Sequence, residues 1–339
     1  MMLVVMMGCN SGLLAEEKTN NEFLSSIVNL GKGFMEVFVT FGDMVSGTLG
    51  IKADTKKSDI GKYFSDVAKT MTSVKSKLKD VVAEHGNYPK VKEVIEQFVT
   101  GILDKIAEGA KLAVSGATDE VSISEVVKAN VGGLSVDATS VNVLVKGIKG
   151  IVDLVISEGN GQANKTSPVE DDKKNIGKLF GGKSDSAEGG AEDKHVAAAS
   201  ASIGLVSGAD ILKAIAAATA AQKDGKVSEA EDSAALALAK GTSNANEDQI
   251  KDSARKDAII AAAIALRAMA KDGKFIVKDN GNNKTEAEGA KGAAANAVNK
   301  VLSTLTIAIR NTVDEGLKEI NKVLVEIKQG EGSEGKTNE

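Results

Sequence analysis

Between Ile60 and Val81 the apolar residues Ile60, Phe64, Val67, Met71, Val74, Leu78 and Val81 alternate steps of four and three without a miss. Steps of that size return each side chain to one stripe of a helix, and an unbroken alternation is the seam of coiled-coil-like packing. Gly86 and Pro89 then predict a stop and a new start, because glycine takes the left-handed position after a helix and proline fits the first turn. A helix from there to about Ala113 carries Val91, Ile95, Phe98, Ile102 and Ile106, and should pack antiparallel to the first. An earlier stretch, 22–50, predicts a Phe- and Met-rich helix through Phe23, Ile27, Phe34, Phe38, Phe41 and Val45. Shorter helical pieces are predicted at 124–129 and 139–157, separated by Val131-Gly132-Gly133.

The pattern changes at 258–270, where every residue but Arg267 is apolar and apolar positions fall on all sides of a helix. Such a helix must be buried on most of its surface by other helices. A membrane span would need roughly 18 uninterrupted apolar residues, and Arg267 breaks a shorter run. Its alanines favour helix and let neighbours approach closely, and Gly273 is predicted as a left-handed stop. Another helix is predicted at 208–223. Its closing Lys-Asp-Gly-Lys at 223–226 recurs at 271–274, which reads as two helix stops and a weak internal duplication. Capping boxes are read at Ser228-Glu-Ala-Glu231 and Thr285-Glu-Ala-Glu288. Phe275-Ile-Val277 reads as a short extended stretch. The last helix carries a stripe of Val298, Leu302, Leu305, Ile309, Val313, Leu317, Ile320, Leu324 and Ile327.

Between 158 and 193 the chain turns to Gly, Ser, Asp, Lys and Asn, an exposed and mobile loop region. It contains a formal Walker-A match, Gly177-Lys-Leu-Phe-Gly-Gly182-Lys183-Ser184. A phosphate loop must follow a buried strand and open a packed helix, so that backbone amides converge on the phosphates. The polar residues on both sides provide neither, so the match is not read as a nucleotide site.

Composition agrees with an all-α protein: there are two prolines, two tyrosines and no tryptophan in 339 residues. The net charge is −5, and Arg255, Arg267 and Arg310 are the only arginines. Nucleic acid is therefore excluded as a partner, because arginine forks and aromatic platforms are both scarce. A single cysteine rules out an internal disulfide framework. With only His85 and His195, both read as plain surface residues, no metal or cofactor site is predicted. The many carboxylates form no paired acidic motif, so no catalytic residue is assigned.

The lone cysteine has its own context. Met-Met-Leu-Val-Val-Met-Met-Gly-Cys is an apolar run ending in a small residue and a thiol, followed by polar Asn10-Ser11-Gly12. This resembles the end of a bacterial lipoprotein signal peptide, whose cysteine is acylated before cleavage. On that reading 1–8 is a signal peptide remnant, 9–21 a lipidated tether and 22–328 one helical domain, with 329–339 a disordered tail. Two or three acyl chains at Cys9 would anchor the protein stably in a lipid bilayer.

Cys-Asn-Ser-Gly at 9–12, the Phe/Gly-rich segment after it, and above all Ala-Ile-Ala-Leu-Arg-Ala-Met-Ala-Lys-Asp-Gly-Lys-Phe at 263–275 resemble the variable large proteins of relapsing-fever Borrelia. A more distant resemblance is to the VlsE surface lipoprotein of Lyme-disease Borrelia. The resemblance implies an elongated helical bundle, with paired N- and C-terminal helices at the membrane-proximal pole and long polar loops at the distal pole. It also implies an outer-membrane, surface-exposed lipoprotein lipidated at Cys9, without catalysis. Such a protein serves immune evasion by antigenic variation, with host antibodies as partners. The alternative is an adhesin for host glycans or plasma proteins. An exposed face of the shorter helices could support a weak homodimer, so the expected state is a monomer or a weak homodimer.

Overall fold

The computed structural model describes residues 50–84, 89–128, 135–166, 171–181, 189–242, 244–278 and 284–334. Apart from Gly50, the helix expected over 22–50 lies outside them.

The Ile60 to Leu78 seam lies on α1 (Lys57–Glu84), with Ile60, Phe64, Val67, Met71, Val74 and Leu78 all at most 1% exposed. α2 (Pro89–Phe98) passes through a π-helical turn at Val99–Leu103 into α3 (Asp104–Val114). Lys75 pairs with Asp104 near one end of α1, and Gly61 lies against Ala117 near the other, so α1 and α3 run antiparallel. Next come β1 (Val126–Lys128) and α4 (Ala138–Val155), whose N-cap Asp137 accepts the Ser140 amide at 2.6 Å. The β-strand corrects the helix expected over 124–129. The β-branched Val126 and Val127 pair in parallel with β2 (Phe275–Val277), the predicted extended stretch.

α3 and α4 also cross antiparallel, and glycine sets the distance. A Cβ on Gly147 would stand 2.5 Å from the Gly109 oxygen and 2.7 Å from the Ala113 nitrogen. Gly147→Ala is therefore expected to cost about 1–3 kcal/mol, because the obstructing atoms are backbone and cannot swing aside. On the same helix a Cβ on Gly150 meets nothing closer than 3.9 Å. Gly150→Ala should stabilise by up to about 1 kcal/mol from helix propensity alone. Urea midpoints of the two variants should move in opposite directions. Equal shifts would contradict the close crossing.

The region 158–193 is more ordered than its composition suggests. A 3-10 helix at Asp171–Leu179 buries Ile176 and Leu179, with Phe180 buried just after it, which corrects the expectation of an exposed loop there. α5 (Asp193–Leu205) and α6 (Gly208–Ala216) follow. α6 opens on a capping box of Ser207 and Asp210 and ends well before 223, the predicted limit. The box predicted at Ser228 is a 3-10 turn (Val227–Glu229). The adjacent α7 (Ser233–Leu238) is capped instead by Asp232, which accepts the Ala234 and Ala235 amides.

The apolar run forms α8 (Asp257–Met269), in which every residue except Ile259 is buried. Helices α4 to α7 and α9 (Lys284–Glu334) all pack on it. α9 buries Val298, Leu302, Leu305, Ile309, Val313 and Ile320 of the predicted stripe. It continues to Glu334, past 329 where the tail was expected to begin. Its C-terminal half runs antiparallel to α2, with Gly316 on the Phe98 ring and Lys90 pairing with Glu326. Among the described residues, no single helix is long and apolar enough to cross a membrane.

Candidate functional site

Cys9, the one site residue predicted from sequence, lies outside the described residues, as does His85. What the structure places is the body that Cys9 would carry: a sealed central helix and the surface around it.

α8 carries charge at both ends, matched to its dipole. At the N-terminus Asp257, 1% exposed in its side chain, pairs at 2.8 Å with Lys173 from the 3-10 helix. At the C-terminus two buried cations meet the carbonyls. Arg267 donates through Nε to the Lys274 oxygen at 2.6 Å, and through Nη1 to the Ala237 and Ala239 oxygens, both at 2.9 Å. Its guanidinium lies 5.8 Å from the centroid of Phe180, which packs edge-on to Phe275. One side chain thus ties α8 to the end of α7, to the approach to β2 and to the 3-10 helix. Lys57, the first residue of α1, donates to the Ala270 and Gly273 oxygens. Burial pulls its pKa down to about 8, against opposing pulls from Asp119, Glu125 and Asp272. Burial likewise lowers Arg267 to about 9. Both remain charged at neutral pH, held by carbonyls that would otherwise be orphaned.

Sequence reasoning singled out Arg267 as an interruption and missed Lys57. No local signal could have found it. It is one lysine among many, and its partners lie more than two hundred positions away.

The Walker-A match has a structural explanation in its described half. Gly177 lies in the 3-10 helix, where a Cβ would be 2.1 Å from the Asp248 oxygen. A Cβ on Gly181 would meet the Asp248 carboxylate at 2.9 Å. These glycines admit a close backbone approach, and an acidic side chain occupies the space beside Gly181. The two Lys-Asp-Gly-Lys segments share a conformation that corrects the predicted glycine stop: Asp224 and Asp272, rather than the glycines after them, are left-handed, both with φ 61°. Gly273 is needed for closeness, since a Cβ there would overlap the Arg267 oxygen. His195 is also corrected. It is 1% exposed, and its Nδ1 accepts the Glu192 amide at 3.0 Å at the start of α5.

Around this core the surface is built of short connections: 157–166 after α4, 219–226 after α6 and 244–256 before α8. Most side chains of 157–166 and 219–226 are exposed, and substitutions at the exposed positions should change stability by less than ~0.5 kcal/mol, whereas 244–256 also buries Asp248, Ile250 and Ala254. The arrangement separates an interior sensitive to single changes from loops that tolerate many.

Variable large protein 4 of Borrelia hermsii is 52% identical over 99% of this chain and 94% of its own length. Variable large protein 17 of the same organism is 53% identical over 99% and 93%. The crystal structure of the Lyme disease variable surface antigen VlsE of Borrelia burgdorferi matches with a TM-score of 0.74 at 34% identity, covering 89% of this chain and 98% of that one. Residues 34–324 match the Borrelia lipoprotein family. The chain therefore belongs to the Borrelia lipoprotein family, among its variable large proteins.

Proposed function

We propose that this chain is an outer-surface lipoprotein, anchored through acylated Cys9, that serves as a variable antigen in immune evasion. The observation carrying the reading is the near full-length likeness to variable large proteins of Borrelia hermsii, joined to tolerant loops on a sealed core. Antibodies meet exposed loops first, and replacing loop residues leaves the packing beneath intact. The Borrelia hermsii relatives are named for variability and VlsE as a variable surface antigen, and none of these names records a ligand. The adhesin alternative therefore gains nothing from them.

The test is expression behind a full lipoprotein signal peptide, with labelled palmitate and protease applied to intact cells. The wild type should incorporate label and be shaved rapidly, and Cys9→Ala should lose both. A wild type that takes no label, or resists protease until lysis, would sink the reading.

A further inference from the structure

Asn160 is followed by glycine in the loop that leaves α4 toward the 3-10 helix, and the local geometry leaves the pair open to self-reaction. The Asn160 amide closes a turn on the Ser157 oxygen at 3.2 Å, with Gly159 left-handed at φ 88°. This is the type II arrangement, with glycine where φ must be positive. Asn160 is exposed, and its side-chain Nδ2 donates to Ser157 Oγ at 2.8 Å. The backbone N–H of Gly161 makes no hydrogen bond among the described residues. Gly161 has no Cβ to obstruct approach to the Asn160 side chain.

We propose that Asn160 is a site of spontaneous deamidation through a cyclic imide, so that this loop changes its charge and backbone as the folded protein ages. The Gly161 nitrogen, giving its proton to solvent base, bonds to Cγ of Asn160. The Cγ–Nδ2 bond breaks, and nitrogen leaves as ammonia after taking a proton from water. Water then opens the ring at either carbonyl. Opening at Cγ gives aspartate, and opening at the main-chain carbonyl gives isoaspartate, in which the backbone runs through the former side chain. The balance is one water consumed and one ammonia released, with no oxidant or reductant.

The consequence follows from how the loop is pinned. Lys213 holds the Ile156 oxygen at 2.8 Å on one side of the pair. On the other side the Gln162 amide donates to Asp210 Oδ1 at 2.7 Å. Gly161 lies so close to Ala209 that a Cβ would come within 2.6 Å of its backbone. Isoaspartate inserts one extra backbone carbon between these pins. Either product adds a carboxylate close in sequence to Glu158 and near Asp210, whose pKa stays below the usual range through its bonds to Ser207 and Gln162 despite the opposing effect of burial. For an antigen this is a change of surface without a change of gene. The chemistry itself does not depend on surface display.

The test is to age the purified full-length chain in mildly alkaline buffer, folded and in urea, and to map peptides by mass. The peptide spanning Asn160 should gain the mass of an amide-to-acid change in the folded sample and accept methyl groups from an isoaspartate methyltransferase. Asn160→Gln should lose both signals, because its longer side chain would have to close a less favourable ring. Asn280-Gly281 falls on a separate peptide and does not confuse the reading. A folded chain that keeps its Asn160 amide, whatever the urea sample does, overturns the proposal. So does conversion to aspartate alone, which would mean direct hydrolysis without the cyclic imide.

Discussion

Replacing Arg267 with alanine is expected to destabilise the protein by about 3–5 kcal/mol, the range for removing one partner from a buried charged network. Three carbonyls, from Ala237, Ala239 and Lys274, would lose their donors at once in a place water does not reach. The emptied volume beside Phe180 adds a cavity cost. Arg267→Lys should recover only part of the loss. A single ammonium cannot reproduce a planar fork that reaches two separate segments. Arg267→Met, similar in length and apolar, should also remain destabilised, because backbone acceptors cannot be removed in compensation. Urea denaturation of the three variants reads this directly. A methionine variant as stable as wild type would show that the carbonyls need no cation.

Between pH 8 and pH 10 the wild type is expected to gain stability relative to Lys57→Met. The Lys57 pKa is near 8 when folded, against its ordinary 10.5. In that window the unfolded chain holds a proton that the folded chain has released, so unfolding becomes harder as pH rises. Below pH 8 the ammonium is charged in both states, and the cost of burying it is constant. The full gap corresponds to about 3 kcal/mol. Above pH 10 a term of opposite sign enters, because burial raises the Tyr63 hydroxyl and only the unfolded chain then ionises. Comparing wild type with Lys57→Met at each pH isolates the lysine. Parallel curves through the window would mean that Lys57 does not titrate in the fold.

Much of the architecture was legible because it rests on short-range periodicity. The α1 seam, α4, α8 and the α9 stripe all follow from apolar spacing, and the start of α2 at Pro89 from proline's fit to a first turn. Elements that depend on partners distant in sequence were not. β1 reads locally as a helix and becomes a strand only by pairing with Phe275–Val277. α5 is small and mixed in composition, with Ala199, Ser202 and Ile203 buried but no wide apolar stripe, so the segment between the polar stretch and 208 was assigned no element. The 3-10 helix buries only a few side chains in an otherwise charged segment, too few for a period to show. The Cys9 motif and the α8 sequence were legible for the opposite reason: each carries its meaning within a dozen residues.

The central claim is that this chain shows its loops outward and keeps α8 hidden. The most direct measurement uses two antibody preparations, one against 158–166 and one against 257–269, on intact cells displaying the protein and on the same cells after denaturation. Loop antibodies should stain intact cells, while α8 antibodies should bind only after unfolding, since the helix is buried almost throughout. Staining of intact cells by α8 antibodies, or failure of the loop antibodies until cells are opened, would contradict the account.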